Sequence, residues 1–115
     1  MAKSGSEYIP ERGDIVWLQL TPIRGHEQAG HRPCLVISAT RFNHVRKLAF
    51  FCPITSNVQG FPFEVLLPKN LKVSGAVLSD QLKCLDFNAR PIRFICKAPE
   101  DVVSETVEKI KAIIE

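Results

Sequence analysis

Six short runs of β-forming residues, each closed by a turn signal, precede a single helical pattern, and this order restricts the fold more than any other feature of the chain. Gly13-Asp14 opens Ile15–Leu20, which stops at Thr21-Pro22. Pro33 starts the nearly continuous apolar run Cys34–Ser38, suited to a strand covered on both faces. Leu48–Ile54 ends at Thr55-Ser56-Asn57, Gly60 and Pro62 bound Phe63–Leu67, Gly75 opens Ala76–Leu85, and Ile92–Lys97 closes the series. Strands this short, with turn residues between them, indicate an all-β barrel or sandwich and not alternating βαβ units. The polar stretch Thr40–Lys47 has room for one helical turn.

The last segment has a different period. Pro99 stands at a first-turn position beside Glu100 and Asp101, and Val103, Val107, Ile110 and Ile114 follow at three- and four-residue spacing. The spacing predicts an amphipathic helix whose apolar stripe caps one opening of a barrel. With 115 residues the chain is read as one domain, 9–115, after a flexible N-terminal tail, 1–8. The first residues are polar and no apolar run approaches the length that spans a bilayer, so a cytoplasmic protein is expected, with no membrane partner.

Cys34, Cys52, Cys84 and Cys96 are widely spaced among apolar neighbours and form no CxxC pair, which predicts buried, reduced thiols and no metal site. A net charge of +3 permits a polyanionic partner without requiring one. The more specific signal lies in Ile23–Arg32, two glycines among polar and charged residues, too polar for a core element and too long for a tight hairpin. It reads as an exposed functional loop.

The run from Glu11 to Ser38, ERGDIVWLQLTPIRGHEQAGHRPCLVIS, resembles the opening of the MazF/PemK toxin family, with its GD-[IV]-W strand and GxEQxGxRP loop. The likeness continues through PITSN at 53–57, GFPFEV at 60–65 and GAVLSDQLKCLD at 75–86. It implies a mainly β fold, an SH3-like β-barrel of the MazF/PemK/CcdB type with a C-terminal α-helix, assembled as a homodimer. It further implies the toxin half of a type II toxin–antitoxin pair: an endoribonuclease that cuts single-stranded RNA at a short sequence without metal or other cofactor, restrained by a MazE/PemI-like antitoxin. The residues that match the family's catalytic positions are Arg32 and Thr55.

The chemistry agrees with those residue types. RNA is cut without metal when its own 2′-OH attacks the adjacent phosphate, leaving a 2′,3′-cyclic phosphate and a free 5′-OH. The protein must then remove a proton, neutralise the charge on the phosphorane and protonate the leaving oxygen. Arg32 carries a permanent, planar fork of donors suited to phosphate, and Thr55 offers a hydroxyl at the rigid end of a strand. The base is open among Glu27, Asp80, His26 and His31. The PemK branch of the family has a His where His26 stands and an Asp-Gln pair matching Asp80-Gln81, whereas the MazF branch has a His before the Arg, as His31 is here. Leu78 replaces the Arg with which the PemK branch pairs its Asp, so the arrangement expected is the MazF-like one around Arg32 and Thr55.

Asn43, Gln59, Gln81 and Lys83 are candidates for reading splayed bases, and Lys47 with Arg46 for attracting phosphate. Trp17 is expected to anchor the core, and Phe50, Phe51, Phe61 and Phe63 to fill the barrel or a dimer interface. The alternative, from a different class, is a non-catalytic toxin of the same fold that poisons DNA gyrase.

Overall fold

The computed structural model describes residues 8–20 and 30–115. The elements run in the order β1 (Asp14–Leu20), β2 (Gly30–Val36), α1 (Thr40–Arg46), β3 (Ala49–Thr55), β4 (Glu64–Leu66), β5 (Ala76–Leu78), a 3-10 turn (Ser79–Gln81), β6 (Lys83–Leu85), β7 (Ile92–Lys97) and α2 (Glu100–Ile114). All pairings are antiparallel, in the order β4-β5-β3-β2-β1-β7, with β6 also on β3. Among the described residues the pairings do not return from β7 to β4, so the expected barrel is an open, seven-stranded sheet.

Alternation along the strands divides the core in two. Val16, Leu18, Leu20, Cys34, Val36 and Phe51 face one side, with Tyr8, Phe87 and Ile92. Ile15, Leu35, Cys52, Ile54, Val65 and Val77 face the other, where Val102, Val103 and Ile110 of α2 cover them. The apolar run in β2 is therefore covered on both faces, as its composition predicts. Helix α2 lies over one face of the sheet. Its buried stripe is Val102, Val103, Thr106 and Ile110, while Ile114 is 76% exposed and is not part of it. Each fully buried aliphatic side chain here contributes on the order of 2 kcal/mol.

Several boundaries differ from the sequence expectation. Tyr8, placed in the tail, is buried, and its hydroxyl donates to the Asp14 carboxylate. The same carboxylate accepts the Glu11 N–H at 3.0 Å and lies 2.7 Å from Lys97 Nζ, so the Gly13-Asp14 turn is locked to both β7 and the first described residues. Strand β2 begins at Gly30 and not at Pro33, because His31 and Arg32 pair with Gln19 and Leu18 of β1. Helix α1 spans seven residues where one turn was expected. The run Ala76–Leu85 breaks into β5, the 3-10 turn and β6. Both strands pair with β3, but the register shifts between Ile54↔Val77 and Phe51↔Lys83, and Pro53, without an N–H to donate, lies in that gap.

The thiols are not alike. Cys34 and Cys52 are buried, Cys96 is half-buried, and Cys84 is exposed, contrary to the expectation of four buried cysteines. Burial, then the neighbouring Cys52, pushes the Cys34 thiol far up, against the opposing pull of Arg32 and Lys83. Burial, then the charge of Asp80, pushes Cys52 up to about 12.

Candidate active site

Two grooves meet at the C-terminal end of β3. The first, about 370 Å³, is lined by Thr55, Asn57, Gln59, Phe61, Phe63, Glu64, Leu78, Asp80 and Gln81. The second, about 280 Å³, is lined by Trp17, His31, Arg32, Pro33, Ile54, Ser56, Lys72, Val73 and Ser74. The segment 54–57 is their common wall: Thr55 and Asn57 line one groove, Ile54 and Ser56 the other.

Arg32 and Thr55 are brought together by the β2–β3 ladder. Its pair nearest that end is Cys34↔Pro53. Arg32 stands two residues beyond this pair on β2 and Thr55 two beyond it on β3, so alternation puts both on the same face of the sheet. Lys83 stands opposite Phe51 on β6, farther along β3, and lines neither groove.

Thr55 is held with little freedom. It is 6% exposed, and its Oγ1 accepts the N–H of Asn57 at 3.1 Å, which orients the hydroxyl and leaves its proton for another acceptor. Glu64 is also buried, with its carboxylate accepting the N–H groups of Gln59 (3.2 Å) and Gly60 (2.9 Å), so it serves the loop between β3 and β4. Asp80 is exposed at the groove rim. Partial burial, joined by the charge of Glu64, raises its carboxyl above the usual range, against the lowering effect of its own backbone N–H.

His31 is exposed and stands edge-on to Trp17, with ring centroids 5.4 Å apart at 81°. Trp17 is half-buried in the wall of the second groove and is no core anchor. His31 and Arg32 are thus strand residues, not members of a free loop. Gln59 and Gln81 line the first groove. Lys47 ends α1 in the left-handed conformation and is not among the residues lining either groove. Glu27 and His26 lie outside the described residues.

Asn43 corrects the sequence reading. It is fully buried, its Nδ2 donates to the carbonyls of Pro10 (2.8 Å) and Ser38 (3.3 Å), and its Oδ1 accepts from the Ser38 hydroxyl. An amide so committed cannot read a base. Sequence reasoning in turn missed Phe61 and Phe63 as groove residues; their place between Gly60 and the buried Glu64 is the signal that marks them.

Comparison with known proteins agrees with the fold. Residues 11–114 match the family described as PemK-like, MazF-like toxin of type II toxin-antitoxin system. The endoribonuclease toxin MazF of Escherichia coli K12 is 39% identical over 85 residues, covering 74% of this chain and 76% of the relative. The endoribonuclease toxin ChpB of the same strain is 35% identical, covering 91% and 94%. The crystal structure of MazF from Deinococcus radiodurans superposes with a TM-score of 0.88 at 45% identity, covering 93% of this chain and 97% of that one. A MazE–MazF structure from the same organism superposes at 0.83, also with 45% identity, covering 93% and 96%. The chain therefore belongs to the PemK-like, MazF-like toxin family of type II toxin–antitoxin systems.

Proposed function

We propose that this protein is an endoribonuclease toxin that cuts single-stranded RNA at the junction of the two grooves without a metal ion. The observation that carries the reading is the placement of Arg32 and Thr55 on one face at the end of the β2–β3 ladder, beside grooves open to solvent. The 2′-OH attacks the adjacent phosphorus, the P–O5′ bond breaks, and the products carry a 2′,3′-cyclic phosphate and a 5′-OH. Arg32 stabilises the charge that builds on the equatorial oxygens, and Thr55 donates its hydroxyl to one of them. A guanidinium is too weak an acid to act as the base near neutral pH. His31, lining the groove with Arg32, is the first candidate to accept the 2′-OH proton, while the leaving O5′, on the opposite side of the phosphorus, takes its proton from a second group or from water. Asp80 faces the same chemistry from the Thr55 groove. Its raised carboxyl pKa suits it to proton transfer, so it is the second candidate base.

Gln59, Gln81, Lys83 and Lys47 would contact the RNA, with Lys47 acting at longer range through its charge. The protein acts in the cytoplasm as a homodimer and is restrained by a MazE-like antitoxin. MazE–MazF complexes among its structural relatives support that last point. Incubation of the purified protein with single-stranded RNA in EDTA tests the function. Cleavage to cyclic-phosphate ends is expected, with DNA of the same sequence spared and gyrase unaffected. Intact RNA together with inhibited gyrase would favour the non-catalytic toxin.

A further inference from the structure

Phe61 and Phe63 stack on one another with centroids 5.2 Å apart and planes 19° from parallel, and both line the groove that holds Thr55. Phe61 is 47% exposed. Phe63 is half-buried beneath it, and an exposed ring such as Phe61 forgoes the hydrophobic gain that ordinarily keeps aromatic side chains inside.

The loop that carries the pair is built to hold it still. The Glu64 carboxylate accepts the N–H groups of Gln59 and Gly60, and Glu64 N–H donates to the Phe61 carbonyl at 3.1 Å. The Phe63 carbonyl accepts from Ser79, through its hydroxyl and its N–H, and Lys109 Nζ reaches the carbonyls of Pro62 and Glu64 from α2. Contacts within the loop, together with Ser79 and Lys109 from outside it, thus fix a short segment that presents an aromatic face to the groove. Around that face stand Gln59 and Gln81, whose side-chain amides carry both donors and acceptors.

We propose that the Phe61–Phe63 pair is the platform on which one unstacked base of the RNA lies, next to the nucleotide that is cut, with Gln59 and Gln81 at its edge. An aromatic face beneath a base and amides beside it are the two elements by which single-stranded RNA is read. This inference rests on the proposed ribonuclease activity and adds a specificity-determining site to it.

The test uses a single-stranded RNA oligonucleotide containing the mapped cleavage site, and a series in which each flanking base in turn is removed to leave an abasic ribose. Phe61→Leu should raise KM about 5- to 150-fold with kcat little changed, and Phe61→Tyr, which keeps the ring, should restore it. At one abasic position the wild type and Phe61→Leu should become equal, because the base that distinguished them is gone. Equal KM for the wild type and Phe61→Leu on the intact oligonucleotide would overturn the proposal. So would a Phe61→Leu defect that persists at every abasic position, which would mark the ring as structural. If the wild type cuts no RNA at all, the failure belongs to the ribonuclease reading, and the platform falls with it. If instead Phe61→Leu cuts normally but no longer binds the antitoxin, the pair is a protein contact.

Discussion

Gly75 lies so close to the backbone of Thr55 that a Cβ on it would sit 1.9 Å from the Thr55 carbonyl oxygen and 2.8 Å from its carbonyl carbon. Its φ of +120° is one that side chains rarely adopt. Gly75, just ahead of β5, therefore approaches the end of β3 at a distance only glycine allows, and this contact fixes the backbone of Thr55.

Gly75→Ala should accordingly cost roughly 3 kcal/mol or more of stability and reduce RNA cleavage in whatever fraction still folds. Urea titration of the variant against the wild type measures the first, and cleavage by the folded fraction the second. Unchanged stability would mean that the β3–β5 approach is looser than described.

Arg32→Ala and Thr55→Ala should each lower kcat about 100- to 1000-fold while leaving the thermal midpoint within a few degrees of wild type. Arg32→Lys should recover little, because an ammonium cannot present two parallel donors to a phosphate. Single-turnover kinetics on one RNA substrate decide the matter. Full activity in either alanine variant would move the site elsewhere.

Much of this arrangement was legible in the residues themselves. The strand cores, the Gly13-Asp14 turn and the C-terminal helix follow from local patterns, and each stands within a few residues of its expected place. What was not legible depends on partners distant in sequence. Arg32 reads as a loop residue until β1 supplies Leu18 as its pair. Asn43 reads as an exposed polar residue until the Pro10 carbonyl, 33 positions away, captures its amide. The break within Ala76–Leu85 belongs as much to β3, where two short strands share one edge around Pro53, as to the segment itself. Phe61 and Phe63 resemble core residues by type, and only the anchored loop shows that they face a groove.

The Tyr8–Asp14–Lys97 cluster predicts a limit to stability in alkali. Burial first, and then the hydrogen bond and charge of Asp14, raise the Tyr8 phenol well above its ordinary value of 10.0. Burial alone would lower Lys97, but its hydrogen bonds to Asp14 and Glu11 and their charges outweigh this and raise it above 10.5. Both groups hold their protons to higher pH in the folded state than in the unfolded one. Their contribution is therefore complete below about pH 10 and is lost as pH rises further. The thermal midpoint should fall above pH 10, and less steeply in Tyr8→Phe, which has no phenol to ionise. A midpoint that rises with pH in that range would contradict the assignment.

If the transcript supplies its own nucleophile at a site formed by Arg32 and Thr55, the ribose 2′-hydroxyl beside the cut is indispensable. An RNA oligonucleotide with a single 2′-deoxy substitution on the nucleotide whose 3′-phosphate is cut tests it most directly. This one change should abolish cleavage at that position while binding, measured by competition with the all-ribose oligonucleotide, stays nearly the same. Cleavage of the substituted strand at a rate close to that of the all-ribose strand would contradict it.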